Sequence, residues 1–354
     1  MGIFDKLFQR EKKDPAEAFW QWFGTQEATF FQVMKNKGDV VERVLDELTP
    51  RLHKVNPGFF SEIGMASDDV AEIIITAEGD VKNFVFVEHL VRSAPTLSNW
   101  KFTALKQPAG WRIHMNGCTF DEHTLSFYSE PLAEYPDEIC LKFVHRDFSE
   151  EQRKTMDSGT SIFLSNLLGE LATATQVDTF EVVPAPSGQE LIPIRELPAY
   201  LAWREKEFVE KYSDGMSGEE FSQCAVLEGT INGLPLIAMV NQDLLRWDSK
   251  PSHPWMTVID IAYTVSNNGM PSTDSSEAMN AFEDQLPKQT GWLNLGRETG
   301  DGHRKIYIAS NEFRKISEVV ANLIAGHRNL KIDYSITRDK YWLALKHLQP
   351  HASV

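Results

Sequence analysis

The chain has 354 residues, of which 42% are hydrophobic and 24% are charged, and this globular composition excludes disorder over most of its length. The formal net charge of −16 disfavours nucleic acid as a partner, because an acidic surface repels phosphate groups. No apolar stretch approaches the ~18 residues of a membrane span, so we expect no stable membrane association.

The first predicted element is a tail over residues 1–14. Four apolar side chains in it fall on one helical face, which is the pattern of a membrane-surface or partner-docking helix. These residues are Ile3, Phe4, Leu7 and Phe8. Because chain termini are usually loose, we favour a frayed segment instead.

Residues 15–212 are predicted to form an N-terminal α+β domain that opens with two helices. Asp14 and Pro15 occupy the N-cap and the first turn of the first helix, and Ser149 with Gln152 has the spacing of a capping box for a later one. The first helix is predicted to begin at Pro15. Periodicity predicts further helices at 39–54, 81–92, 150–171 and 197–212, and strands at 59–65, 70–76, 100–105, 111–115, 124–128, 138–145 and 179–183.

Residues 213–220, rich in Gly, Ser and Asp, are predicted to be a linker. Residues 221–354 then form a C-terminal domain, which opens with a hairpin around Asn232-Gly233. The hairpin strands are predicted at 223–228 and 234–240, and further strands at 255–265, 292–297, 304–309 and 330–336. Helices are predicted to begin after caps at Ser272 or Thr273 and at Asn311, with a short one at 341–348.

The order of elements from Trp255 onward is β-α-β-β-α-β, which is the ferredoxin-like, split βαβ arrangement. The elements between residues 70 and 183 follow the same order. We therefore interpret the chain as two ferredoxin-like units with additional strands, preceded by N-terminal helices.

The C-terminal domain carries the run HPWMTVIDIAYTVSNNGMPSTDSSEAMNAFEDQL, followed by GRETGDGHRKIYIAS. From about Cys224 to Leu348 the chain resembles the bacterial domain of unknown function 695 family. Earlier segments such as FWQWF and LIPIRELPAYLAWREKEFVEKY resemble the N-terminal region that accompanies this domain. The resemblance implies no established activity. A more distant similarity to the regulator of ribonuclease E activity implies a ferredoxin-like, protein-binding role.

The glycine-rich hairpin at 296–304 carries four candidate binding residues: Arg297, Glu298, His303 and Arg304. Paired arginine forks suit an anion or carboxylate ligand. The alternative, which we favour, is cross-strand charge pairing of the arginines with Glu298 or Asp301.

The sequence predicts no catalytic residue, no metal ligand and no cofactor. His253, Asp260 and Glu283 are of suitable types for a metal or acid–base site, but their spacing follows no ligand pattern. A GxSxG nucleophile motif is absent from the sequence. These observations favour a protein that is not an enzyme.

Three cysteines, Cys118, Cys140 and Cys224, lie far apart and without CxxC spacing, which indicates reduced thiols in the cytoplasm.

The function we expect is that of a non-enzymatic protein-binding or regulatory protein, acting through a sheet face or its acidic surface. One alternative is a hydrolase or nuclease-like enzyme with a site near 296–304. Another is an immunity or toxin-associated factor, since an acidic surface suits a basic toxin. The sequence predicts no particular oligomeric state.

Overall fold

The computed structural model describes residues 14–110, 112–212, 223–266, 268–287 and 291–348. Its secondary structure is α+β with helices at the N-terminal end, as predicted. The predicted linker 213–220 and the amphipathic face within residues 1–13 lie outside the described residues.

Backbone contacts group the described residues into two compact units. One consists of the residues up to Pro108 together with Gly169–Leu171, and the other consists of the remainder. This division differs from the predicted one, whose boundary falls in the undescribed linker and stays a prediction.

The first unit contains three helices and a three-stranded sheet. The helices are α1 (Pro15–Lys35), α2 (Asp46–Val55, preceded by a π-helical turn at Val41–Leu45) and α3 (Val81–Arg92), and the strands are β1 (Phe60–Ser67), β2 (Val70–Thr76) and β3 (Trp100–Ala104). Asp14 caps α1 as predicted, since its carboxylate accepts from the Ala16 amide at 3.0 Å. The aromatic residues of α1 form core, and the Trp20 indole donates to the Leu90 carbonyl at 2.9 Å.

The second unit begins with a short hairpin and a four-stranded sheet in the order β8-β7-β6-β9. Its elements are β4 (Ile113–Met115), β5 (Cys118–Phe120), β6 (Leu125–Ser129), β7 (Cys140–His145), α4 (Arg153–Gln176), β8 (Thr179–Val183), β9 (Ile192–Pro193) and α5 (Leu197–Lys211). The predicted capping box does not form, because the Ser149 side chain makes no cap hydrogen bond and a 3₁₀ turn precedes α4. Phe127, Phe143, Phe163 and Leu201 lie in the core between this sheet and its helices.

The chain departs from helical geometry inside α4, at Gly169 (φ 78°, ψ 167°). A Cβ at this position would lie 2.8 Å from Pro108 Cδ and 2.9 Å from the Lys106 carbonyl oxygen, so glycine is required. The next residue, Glu170, belongs to the first unit. Its carboxylate there accepts from the amides of Ala77, Gly79 and Lys106 and from the Thr76 hydroxyl, at 2.6–3.1 Å.

The rest of the second unit is built on a six-stranded sheet in the order β10-β11-β13-β14-β12-β15, with every pair antiparallel. Its elements are β10 (Cys224–Ile231), β11 (Leu234–Asn241), α6 (Gln242–Arg246), β12 (Trp255–Ala262), α7 (Thr273–Glu283), β13 (Trp292–Gly300), β14 (His303–Ser310), α8 (Phe313–Gly326), β15 (Lys331–Arg338) and a 3₁₀ helix (Leu343–Leu348). Ser272 caps α7 as predicted, whereas α8 is capped by the Glu312 carboxylate and not by Asn311.

The strand order β13-β14-β12-β15 is compatible with the ferredoxin-like arrangement predicted from Trp255 onward. Residues 70–183 are arranged differently. There β2 and β3 are directly adjacent and parallel in one sheet, while β7 and β8 are directly adjacent and parallel in another. Adjacent strands leave no place for the antiparallel strand that separates the two parallel strands of a split βαβ unit, so residues 70–183 do not form one such unit.

Candidate functional site

A bulge in β13 decides which way the candidate binding residues point. Leu293 and Leu295 pack in one hydrophobic cluster with Tyr307, and simple alternation would place Arg297 on the same face. The register of β13 with β14 shifts between Asn294 and Gly296, however, so that the following residues reverse their faces. Gly296 has φ 142°, and a Cβ there would lie 2.2 Å from the Met239 carbonyl oxygen.

Arg297 and Arg304 consequently share the face of the sheet on which α7 lies. Arg297 Nη1 forms an ion pair with Glu283 Oε2 of α7 at 2.5 Å. Arg304 donates from Nε to Thr299 Oγ1 at 3.1 Å and from Nη1 to Asn280 Oδ1 at 2.7 Å. Burial, and next the charge of Arg297, lowers the pKa of Arg304. The two guanidinium groups therefore join helix to sheet, and their partners are not the predicted Glu298 and Asp301.

Glu298 lies on the opposite face, where it is the centre of a hydrogen-bond network. The Tyr307 hydroxyl donates to Oε1 at 2.7 Å, and His347 Nε2 lies 2.8 Å from Oε2. Lys305 Nζ is 3.7 Å from Oε1. Burial raises the pKa of Tyr307, and the hydrogen bond to Glu298 raises it further, so this hydroxyl stays a proton donor at neutral pH.

His303 is close to this network and has its own acidic partner. Its Nδ1 lies 2.7 Å from Asp260 Oδ1, in a pair that is partly exposed to solvent. Neighbouring residues on a strand point to opposite faces, so His303 and Arg304 are separated by the sheet. The four candidate residues thus form two pairs on two faces and not one cluster.

The face that carries Glu298 and His303 forms a groove of about 630 Å³ at one end of the six-stranded sheet. We call it the Glu298 groove. Its ionisable lining residues are Asp260, Glu298, Asp301, His303, Lys305, Tyr307 and His347. Three carboxylates and one lysine make the groove acidic when both histidines are neutral.

Sequence reasoning missed three members of this network. Lys305 and Tyr307 alternate with His303 along β14, so strand periodicity contains the signal that would have found them. His347 comes from the 3₁₀ helix that follows β15, and its approach to Glu298 depends on tertiary folding. The sequence gives no local signal for that contact.

The structure separates the three residues considered for a metal or acid–base site. Asp260 lies in the groove and Glu283 on the α7 face, while His253 is buried with Nδ1 2.9 Å from Ser252 Oγ. Burial lowers the pKa of His253 to about 4. Within the described ranges, no three His, Cys, Asp or Glu side chains are grouped so that they would hold a metal ion.

The groove contains hydrogen-bonded bases without an adjacent nucleophile. Ser335 is the one serine in its lining, and no cysteine lines it. Among the residues that the structure describes, no hydrogen bond joins Ser335 to His303 or His347. The side chains present are thus suited to bind charged groups, and His303 is suited to exchange a proton with Asp260 as its orienting partner.

One family model matches the part of the chain that forms most of the six-stranded sheet. Residues 225–346 match the sequence model described as a family of unknown function, DUF695. The match supports a DUF695 domain at the C-terminal end, and it contains the Glu298 groove except for His347. Comparison with curated proteins and with solved structures gives no match. Of the helices in the described ranges, none has the length and apolar character needed to cross a membrane.

Proposed function

We propose that this protein is a non-enzymatic binding protein with a regulatory role, and that its Glu298 groove engages a basic segment of a partner protein. The observation that supports this proposal is the charge of the groove, where Asp260, Glu298 and Asp301 face a single lysine. The net charge of −16 favours the same class of partner, because it speeds the encounter with a basic surface.

The hydrogen bonds of the groove suit recognition. The Tyr307 hydroxyl and His347 hold the two oxygens of Glu298 in place, so the charge is presented in a fixed direction. Charges that are already oriented need less ordering when a ligand binds, which favours affinity.

One of the two family resemblances bears on the class of function. The DUF695 match carries no activity, while the distant similarity to the regulator of ribonuclease E activity suggests protein binding. As part of the proposal, the N-terminal region is the one that accompanies DUF695 domains, and the protein acts in the cytoplasm. All three cysteines are free, which agrees with a reducing compartment.

The second candidate is a hydrolase with its site at the same hairpin, and one observation favours it. The Asp260–His303 pair at 2.7 Å has the arrangement of a general base and its orienting carboxylate, which would activate water. An immunity factor that neutralises a basic toxin is a special case of the binding proposal, with the toxin as the partner.

The binding proposal is tested by comparing the proteins retained by the wild-type chain with those retained by an Asp301→Lys variant, from a lysate of the source cells. We expect one protein retained at equal stoichiometry by the wild type and lost from the variant. The purified partner should then bind the wild-type chain more weakly as salt rises, because the contact is electrostatic.

Asp68→Lys is the matched control, since it makes the same charge change at an exposed turn of the first unit. A partner that Asp68→Lys loses equally, or that Asp301→Lys retains, contradicts a role for the groove. Turnover of an ester or phosphodiester substrate that His303→Ala abolishes would support the hydrolase instead.

A further inference from the structure

A second cavity, of about 580 Å³, lies in the second unit between α5 and the C-terminal end of β15 with the residues that follow it. Trp203 and Phe208 of α5 line one side, and Arg338 and Lys340 line the other. It is separate from the Glu298 groove, with which it shares no lining residue. We call it the Arg338 cavity.

Arg338 is buried with part of its hydrogen-bonding capacity unused. Its side chain is 8% exposed, with Nε 3.3 Å from Asp178 Oδ1 and Nη2 3.5 Å from Glu205 Oε2. Neither Nε nor Nη1 has a hydrogen-bond partner within the described part of the chain. A buried donor without an acceptor costs roughly 1–3 kcal/mol. Nε faces Asp178, so Nη1 is the donor that lacks an acceptor, and it shares an edge of the guanidinium group with Nη2, which Glu205 contacts.

The ion pairs around the cavity leave the positive charge of Arg338 the least compensated. Lys340 Nζ lies 2.6 Å from Asp178 Oδ2, and Lys211 Nζ lies 2.8 Å from Asp137 Oδ1. Each buried carboxylate thus already has a lysine at hydrogen-bonding distance. The remaining acidic neighbour of Arg338 is Glu205, whose side chain is 41% exposed and whose contact is long.

The charges near the opening limit the kind of anion that fits. Glu207 and Glu210 line the cavity with Glu205. Glu207 is 3.9 Å from Arg204, and Glu210 is 3.7 Å from Lys206. These carboxylates repel a polyanion such as a phosphorylated compound. A ligand with one carboxylate adds a single negative charge, which takes the place of that of Glu205 beside Arg338.

The cavity also offers an aromatic surface. The Trp203 indole is 52% exposed, which is unusual for so large an apolar group. The Phe208 ring lies deeper, with Lys340 Nζ 5.0 Å from its centroid. A flat ring that stacks on Trp203 would cover this exposed apolar area.

We infer that the Arg338 cavity binds a small aromatic monocarboxylate. Its carboxylate takes the place of Glu205 beside Nη2 and accepts along the Nη1–Nη2 edge of Arg338, while its ring lies against Trp203. Glu205 rotates outward when the ligand enters, because both carboxylates compete for the same guanidinium group. The cavity volume falls in the range of small-molecule sites, roughly 300–1,000 Å³.

Isothermal titration of the full chain with sodium benzoate tests the inference, with benzamide as the neutral molecule of the same shape. We expect saturable binding of one benzoate per chain and at least about 10-fold weaker binding of benzamide, since hydrogen bonds to charged groups contribute ~1.5–3 kcal/mol. No saturable binding of benzoate, equal affinity for benzamide, or displacement of benzoate by equimolar inorganic phosphate would overturn it.

Variants at exposed positions keep the test independent of folding. Glu205→Gln should tighten benzoate binding by about 3–10-fold, because it removes the competing charge. Trp203→Ala should weaken it by about 5-fold or more, through loss of ring contact. Glu228→Gln, the same change on β10, should leave the affinity unchanged. Arg338→Gln should abolish binding. Unchanged affinity in Glu205→Gln and Trp203→Ala together would place any benzoate elsewhere and overturn the inference.

Discussion

Glu170 in the first unit and Glu298 in the second are both buried carboxylates, exposed by 4% and 7%, but their surroundings differ. Glu170 accepts from three backbone amides and one threonine hydroxyl. Glu298 is bonded by the side chains of Tyr307 and His347, at the wall of an open groove. Backbone amides supply three of the four donors to Glu170, whereas side chains hold Glu298.

This difference indicates what each carboxylate does. Backbone donors are fixed by the fold itself, so a carboxylate that satisfies them holds a loop in place. Side-chain donors are able to exchange one acceptor for another, as a binding site requires. Substitutions at and around the two residues should therefore separate stability from binding.

The largest expected effect is that of Glu170→Ala. Removing the carboxylate leaves four donors without an acceptor, so we expect a loss of about 4 kcal/mol in the free energy of unfolding of the first unit. Urea unfolding measures the loss, and hydrogen exchange should show the amides of Ala77 and Gly79 losing protection. Glu170→Gln retains one acceptor oxygen and should lose less. A loss below about 1 kcal/mol for Glu170→Ala would contradict the structural role that distinguishes Glu170 from Glu298.

His253 is a third buried ionisable side chain, and it differs from both carboxylates. Its Nε2 has no hydrogen-bond partner in the part of the chain that the structure describes. Burial lowers its pKa from 6.5 to about 4, so it is neutral in the folded state above that pH. As the pH falls below 6.5 the unfolded chain binds the proton first, and stability decreases until the pH reaches about 4. The total loss should be about 3 kcal/mol.

Unfolding measured at several pH values between 7 and 4 checks the His253 prediction. His253→Gln removes this group's contribution, so the variant should show a smaller decrease over the same interval. If the two chains lose stability in parallel, the decrease belongs to other groups.

Gly296→Ala should have the next largest effect on stability, because Gly296 lies in the bulge that places Glu298 on the groove face of the sheet. The added Cβ would lie 2.2 Å from the Met239 carbonyl oxygen, at a φ of 142°. We expect a loss of about 2–3 kcal/mol in the stability of the second unit by thermal or urea unfolding. Gly229→Ala on β10 is the matched control, because nothing lies within 4 Å of its Cβ. Equal effects of the two substitutions would show that the bulge is not strained.

The smallest expected effect on stability is that of Glu298→Gln, at about 1 kcal/mol or less. The amide still accepts from the Tyr307 hydroxyl, and His347 is able to accept from the new NH₂ group by changing tautomer. Affinity for a basic partner should nevertheless fall by roughly 10-fold, since a charge is lost. Unfolding and binding measurements on this variant separate the two effects. A stability loss as large as that of Glu170→Ala would mean that the network is structural.

Much of the fold follows from local patterns in the sequence. The strands of the C-terminal sheet and the helix at Val81–Arg92 lie where periodicity predicts them. The predicted ferredoxin-like arrangement of residues 70–183 differs from the structure in the placement of its parallel strands. The order of elements along the chain does not reveal whether two parallel strands are adjacent or separated by a third strand. The cap of α8 was misplaced by one residue, since both Asn311 and Glu312 are able to accept from amides.

The site was less predictable than the fold. The bulge at Gly296 reverses the faces of Arg297 and Glu298, and alternation counted from Leu295 gives the opposite result. The contacts of His347 and Arg338 join parts of the chain that are distant in sequence, so no spacing rule would have found them.

The cysteines have a practical consequence for experiments on this protein. Cys118 and Cys140 are buried, while Cys224 is exposed at the first residue of β10. A maleimide dye should therefore attach to one position in the native chain, without any engineered residue. Because β10 belongs to the sheet that carries the Glu298 groove, the attached dye would be a fluorescent reporter on the domain proposed to bind the partner.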